Sequence, residues 1–284
     1  MNFFWHIIAL IGLFIPSILG YNIIFGKGKI LHFGPLGVSI PTVYTIVLLL
    51  MHTQSFVLAF FAGLTVALIT SSFFAWLALR LDADAFGVMS IAVHLSMLAV
   101  VMNWNSLTRG ALGIPYVPRL PFLNSVFDFA VLGIVLSAIS IVVIWRIDRS
   151  SFGRQLAALA EHEWHAKSLG INKAKVHLYA FLIGGVGITI VNFVGPQYFM
   201  LLHPNDYQFP LLVYMVMIVV AGKPGSVFGV TISTILLVLL KEGLRLVPLA
   251  PAILGPVRLM LFGFILFAAV WLRRDTLFPQ ERKI

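Results

Sequence analysis

A chain of 284 residues that is 60% hydrophobic and only 10% charged, with mean hydropathy +1.02, lies outside the range of soluble domains and inside that of polytopic membrane proteins. Its net charge of +9 needs no nucleic acid, because basic loops lying against an anionic leaflet account for it. The absence of cysteine excludes a disulfide framework and thiolate chemistry.

A hydrocarbon core of ~30 Å requires roughly 20 apolar residues per helix. In chain order, charge-poor runs of about that kind occupy 3–25, 37–52, 56–79, 86–103, 124–145, 176–201, 209–221, 226–243 and 257–272. The expected fold is an all-α polytopic membrane protein of about nine transmembrane helices, forming one permease domain over 1–284, with 209–221 short enough to be re-entrant. A closed barrel would show ~10-residue alternating strands, and these runs are continuous and too long for that. The first run has no basic residue before it and no small-residue cleavage pattern, so it is expected to be a retained helix.

Orientation follows from Lys and Arg. If the 147–175 segment faces the cytoplasm, the inner segments hold Lys27, Lys29, Arg80, Arg146, Arg149, Arg154, Lys167, Lys173, Lys175, Lys223, Arg273, Arg274, Arg282 and Lys283, leaving Arg109, Arg119, Lys241, Arg245 and Arg258 outside. That satisfies the positive-inside bias, with the N-terminus out and the C-terminus in.

The first glycine-rich stretch, Gly20 to Gly28, is not a phosphate loop. Five residues separate Gly20 from Gly26 where four are needed, and Gly28 follows Lys27 where Ser or Thr should hold magnesium. His162 and His165 are three apart, with no third ligand nearby, so no metal site is expected. No nucleophile–base arrangement can be drawn, so the chain reads as a non-enzyme that binds no cofactor of its own. The span interiors are nearly free of charge, whereas ion-coupled carriers place titratable groups there. Gly and Pro interrupt the apolar runs instead, in 25–41 and 221–229. Broken helices of this kind can expose backbone to a polar pathway, which makes Asn22, His32, Gly34 and Pro35 the candidates for a substrate path. Gly225 and Gly229 have the spacing of a helix-packing pair. Gly-Lys, a spacer and then Phe-Gly occurs in both stretches (Gly26-Lys27 to Phe33-Gly34, and Gly222-Lys223 to Phe228-Gly229).

The polar segment "AEHEWHAKSLGINKAKVH" (160–177) interrupts this apolar chain. Before and into it, Phe152, Leu156, Ala160 and Trp164 recur every four residues, which predicts a short amphipathic helix ended by Gly170. Such a helix can lie on the membrane or dock on a soluble partner.

"LAEHEWHAKSLGIN" (159–172) resembles the cytoplasmic coupling loop of ABC-importer permeases, in the form found in LivM-type permease subunits of branched-chain amino-acid importers. The likeness extends to "LGYNIIFGKGKILHFGPLGVSIPTVYT" (19–45), "NWNSLTRGALGI" (103–114), "SSFGRQLAALAE" (150–161), "VVAGKPGSVFG" (219–229) and "RLMLFGFILFAAVWLRRDTLFP" (258–279). The resemblance implies a prokaryotic inner-membrane permease that pairs with a second related permease, two cytoplasmic ATPases using ATP and Mg, and an extracytoplasmic binding protein. It assigns ATPase coupling to Phe152, Leu156, Glu161, Glu163, Trp164 and Gly170. Urea, amides or sugars remain alternative cargoes, and an ion-coupled secondary carrier is the alternative outside the ABC class.

Overall fold

The structure is a computed structural model describing residues 2–246 and 251–272. The basic tail from Arg273 onward, expected inside, lies outside the described residues, as does the side chain of Arg258. Each predicted apolar run carries a helix: α1 (Asn2–Tyr21), α2 (Pro35–Thr53), α3 (Phe56–Arg80), α4 (Ala83–Asn103), α6 (Val126–Arg149), α9 (Lys173–Phe199), α10 (Phe209–Ala221), α11 (Val227–Gly243) and α12 (Pro251–Leu272). Between them lie the short helices α5 (Asn105–Thr108), α7 (Ser151–Glu161) and α8 (Glu163–Ser168). Among the described residues, six helices are long and apolar enough to cross a membrane, namely α1 through its extension to Lys27, α2, α3, α4, α6 and α9. With 13 residues, α10 reaches only about 20 Å at 1.5 Å per residue, short of the ~30 Å core.

Helix α1 forms the centre, packed on α6, α9 and α11. Between lipid-solvated helices close backbone approach replaces hydrophobic drive, so small residues belong at the contacts. Gly12 stacks directly on Gly133, where Ser137 also donates its hydroxyl to the Gly12 carbonyl at 3.0 Å. A Cβ on Gly20 would lie 3.1 Å from the Cα of Gly184, so this α1–α9 crossing also requires the missing side chain. By contrast α3, α4 and α6 present large apolar side chains outward, including Phe61, Phe73, Met89, Leu95, Ile134 and Val142. This is the surface a chain solvated by lipid must have.

The ends of α1 define two faces. At one, α1 runs into a π-helical turn, Asn22–Lys27, in which the Gly28 amide donates to the Ile23 carbonyl at 3.0 Å. Lys27 there forms an ion pair with Asp148 near the end of α6, and its ammonium also donates to the Asp148 carbonyl at 2.8 Å. This face carries α7 and α8 and is called the basic face below. At the opposite face the segment between α4 and α6 is tied to the end of α9. β1 (Ile114–Pro115) pairs antiparallel with β2 (Leu201–Leu202), while Arg119 donates to the carbonyls of Gln197 and Tyr198 at 2.9 and 2.8 Å. Residues 104–123 and 147–175 therefore sit at opposite ends of the bundle, as the charge distribution requires.

Candidate functional site

A cavity of about 490 Å³ lies between α1, α2, α9, α10 and α11. Its exposed lining residues, Phe199, Leu201, Asp206 and Arg245, belong to the face opposite the basic one, while the buried residues Ser17, Leu36 and Met215 lie deeper. The cavity thus opens away from the basic face. One part of the wall is aliphatic and aromatic, with Leu10, Phe14, Ile188, Leu211, Met215 and Val238.

Another part is polar. The Asn192 amide donates to the Ser39 carbonyl at 3.3 Å, and the Tyr207 hydroxyl donates to the Asn192 side-chain oxygen at 3.3 Å. Asp206 is exposed at its outer edge, but partial desolvation against the cavity wall pushes its carboxyl up from the ordinary value, against the opposing pull of His203 and Lys241. Burial likewise pushes the Tyr207 phenol well up. Toward the mouth the Arg245 guanidinium donates to the Glu242 carboxylate at 2.7 Å, His6 Nε2 lies 3.9 Å from the same oxygen, and Lys241 stands 5.4 Å from the centre of the Tyr214 ring. These groups come from α1, α2, α9, the 204–207 turn, α10, α11 and the turn that follows it, so periodicity within any single run could not bring them together. The only sequence signal was charge at the end of an apolar run, in "KEGLR" (241–245).

Asn22, His32, Gly34 and Pro35 do not line this cavity. Asn22 is buried in the π turn, where its side-chain oxygen accepts the Gly225 amide at 2.9 Å. The two glycine stretches, 200 residues apart in sequence, thus meet in space, and Gly225 makes the contact with φ +82°, a conformation a residue with a Cβ adopts only with strain. The imidazole of His32 is enclosed by Phe74, Phe86 and Phe181, its carbonyl accepts from the Tyr21 hydroxyl at 2.8 Å, and burial pushes its pKa down to about 3. A Cβ on Gly34 would lie 2.7 Å from the Ser90 carbonyl oxygen, and Pro35 opens α2. Gly229 packs on Gly222 across the turn between α10 and α11.

At the basic face the expected single amphipathic helix is instead two. The break falls at His162, whose backbone is extended (φ −146°, ψ 91°) while its carbonyl accepts the Ala166 amide to start α8. Glu163, in the first turn of α8 where an acid is favoured, accepts from Lys167 at 2.6 Å and Lys173 at 2.7 Å, and these hydrogen bonds hold its carboxyl below the usual range. Gly170 ends α8 as expected, in a Schellman motif: its amide donates to Lys167, the Ile171 amide donates to Ala166, and its φ is +81°.

The four-residue stripe also does not form one face. A strict spacing of four drifts about 40° per step on a 3.6-residue helix, so the buried face of α7 is Gly153, Leu156 and Leu159. Leu156 is 0% exposed and packs against Gly28 of the π turn, Phe152 meets Tyr179 edge to face, Glu161 is exposed, and Trp164 is 84% exposed.

The profile of the family described as "Branched-chain amino acid transport system / permease component" matches residues 6–270. The chain belongs to this family. It is similar to the high-affinity branched-chain amino acid transport system permease proteins LivM of Salmonella typhimurium (26% identical) and Escherichia coli (25%), in each case over 93% of this chain and 67% of the relative. No solved structure matches it significantly. It is an ABC permease subunit and a membrane protein. Among the described residues no group of three His, Asp or Glu side chains could hold a metal ion.

Proposed function

We propose that this chain is a permease subunit of an ATP-driven importer of branched-chain amino acids in the prokaryotic inner membrane, and that the 490 Å³ cavity is its substrate path. The observation that carries this reading is the wall of that cavity. A branched-chain amino acid is a zwitterion with an aliphatic tail, and the cavity sets paired charges beside an aliphatic and aromatic surface. Pockets for small ligands combine these two kinds of lining.

In this reading the basic face is cytoplasmic and the cavity opens toward the extracytoplasmic binding protein. The chain forms one domain of nine spans, of which α10 enters from the outside and turns back through Gly222–Ser226 into α11. It pairs with a second related permease and with two ATPases, which use ATP and Mg. Trp164 and Leu169, both exposed on α8 and its cap, anchor the ATPase with Glu161 at the rim, while Phe152 and Leu156 carry the displacement inward. The contact of Leu156 with Gly28 and the Lys27–Asp148 pair join α7 to the π turn, and the Asn22–Gly225 hydrogen bond joins that turn to the reversal between α10 and α11, the two helices that wall the cavity further along. Asn22, His32, Gly34 and Pro35 then serve as the hinge beneath the path, and Gly170 lets the chain turn from α8 to α9. Alternating access follows if the ATPases bias this connected element between two arrangements.

The test fills the cavity. Gly195 lines it, and a Cβ there meets nothing within 4 Å, so Gly195→Trp places an indole in the open space without disturbing the backbone. The variant is expected to assemble with its ATPases and to import nothing above background. Normal uptake by an assembled Gly195→Trp complex would remove the cavity from the path.

A further inference from the structure

We propose that Glu242 and Arg245 form an exchangeable ion pair at the outer mouth of the cavity, opened by the α-ammonium and α-carboxylate of the incoming amino acid. This deepens the substrate-path reading and rests on it.

The two partners are unequally placed. The Glu242 side chain is 3% exposed and lines the cavity at the end of α11, whereas Arg245, one turn further on, is 55% exposed with its guanidinium 2.7 Å from the Glu242 carboxylate. A carboxylate this buried requires a cation, because leaving it unpaired in a low-dielectric site is strongly unfavourable. His6, 3.9 Å away, is oriented by its contact with Tyr198 and does not approach as closely as Arg245.

A zwitterion can replace the guanidinium with no charge left uncompensated. Its ammonium takes the Glu242 carboxylate, and its carboxylate takes the freed guanidinium, which has five donors in a planar fork suited to that group. The solvent-facing position of Arg245 lets it swing aside without moving α11. With its charged head held there, the aliphatic tail of the substrate lies against Phe14, Met215 and Val238, which line the same cavity. A neutral polar solute such as urea or a sugar brings no cation, so opening the pair for it would strand Glu242. The pair therefore selects for amino acids as a class, and the apolar wall selects among them.

The test uses the complete importer, with its ATPases and loaded binding protein, in proteoliposomes, with L-leucine as the probe. Glu242→Gln should lower leucine uptake by about 30-fold or more, the scale expected for loss of one partner of a buried charge pair, while the ATPases still co-purify. The double variant Glu242→Gln/Arg245→Gln removes both charges, so it strands neither and should keep wild-type thermal stability. It is nonetheless expected to stay deficient in uptake. If the double variant recovers uptake together with stability, the pair is only a brace and the proposal is overturned. Uptake by Glu242→Gln within a few-fold of wild type overturns it too, and if that single variant fails to assemble, the double variant decides alone. Absence of leucine uptake by the wild-type complex is a different failure, which removes the substrate reading and this proposal with it.

Discussion

Leu156 and Trp164 share an apolar stripe in the sequence yet should respond to truncation in opposite ways. Leu156 is fully buried against the Gly28 backbone of the π turn, with its Cδ1 3.2 Å from where a Gly28 side chain would begin. Leu→Ala in such a site costs about 2–5 kcal/mol through lost transfer energy and the cavity left behind. Gly28 has no side chain to move into the space, which places Leu156→Ala at about 3 kcal/mol in that range. Trp164 is 84% exposed, and its removal should change the stability of the permease alone by no more than about 0.5 kcal/mol. As the aromatic anchor of an interface it should instead contribute about 2 kcal/mol to ATPase association, roughly 30-fold in affinity. Thermal unfolding of the detergent-purified permease, followed by far-ultraviolet circular dichroism, separates the first effect from the second, and titrated co-purification of the ATPases reads the second. An unchanged unfolding midpoint for Leu156→Ala would refute the packing of α7 on the π turn. Full ATPase binding and full transport by Trp164→Ala would make α8 a membrane-surface element and put the coupling site elsewhere.

Asn22→Leu removes the acceptor of the buried Gly225 amide, a loss of about 1–3 kcal/mol. It should lower uptake while the complex still assembles, and normal transport at normal protein level would contradict the hinge. Because its lysine partners lower the Glu163 pKa below 4.5, the stability it lends to the 163–173 loop is present above that value and is lost as pH falls through the lower folded value. Protection of the amides across 163–171, taken relative to the intrinsic exchange rate at each pH, should therefore persist down to the ordinary carboxylate range and be lost only below it, and loss of protection already at neutral pH would contradict the assignment. Ser106 and Ser168 are exposed at opposite ends of the bundle, so on this cysteine-free chain a label at Ser106→Cys should react in intact cells and one at Ser168→Cys only after the membrane is breached. The reverse pattern would invert the topology.

The helices were legible in the sequence because lipid leaves no alternative. A run of apolar residues that must satisfy its own backbone forms a helix, and all the predicted runs carry one. Turn chemistry was equally legible at Gly170, where a left-handed residue was needed to end α8. What could not be read was which residues of separate runs meet. Asn22 stood out as a polar residue beside a glycine turn, but its partner, the Gly225 amide, lies 203 positions away. The stripe from Phe152 to Trp164 suggested one helix because an extended residue at His162 leaves no mark in hydrophobic periodicity. The mouth of the cavity was missed for the same reason: Glu242 and Arg245 are charges at and just beyond the end of the 226–243 run, and only the packing of α11 on α1 and α10 buries Glu242 while Arg245 stays exposed beside it.

The central claim is that this chain moves branched-chain amino acids across the membrane when partner ATPases work on its basic face. Uptake of radiolabelled L-leucine into proteoliposomes, with the permease present alone or with its partner permease, ATPases and loaded binding protein, tests it most directly. The account predicts leucine accumulation only in the complete assembly and only with ATP on the side of the basic face. Accumulation by the permease alone, driven by a proton or sodium gradient without ATP, would contradict it.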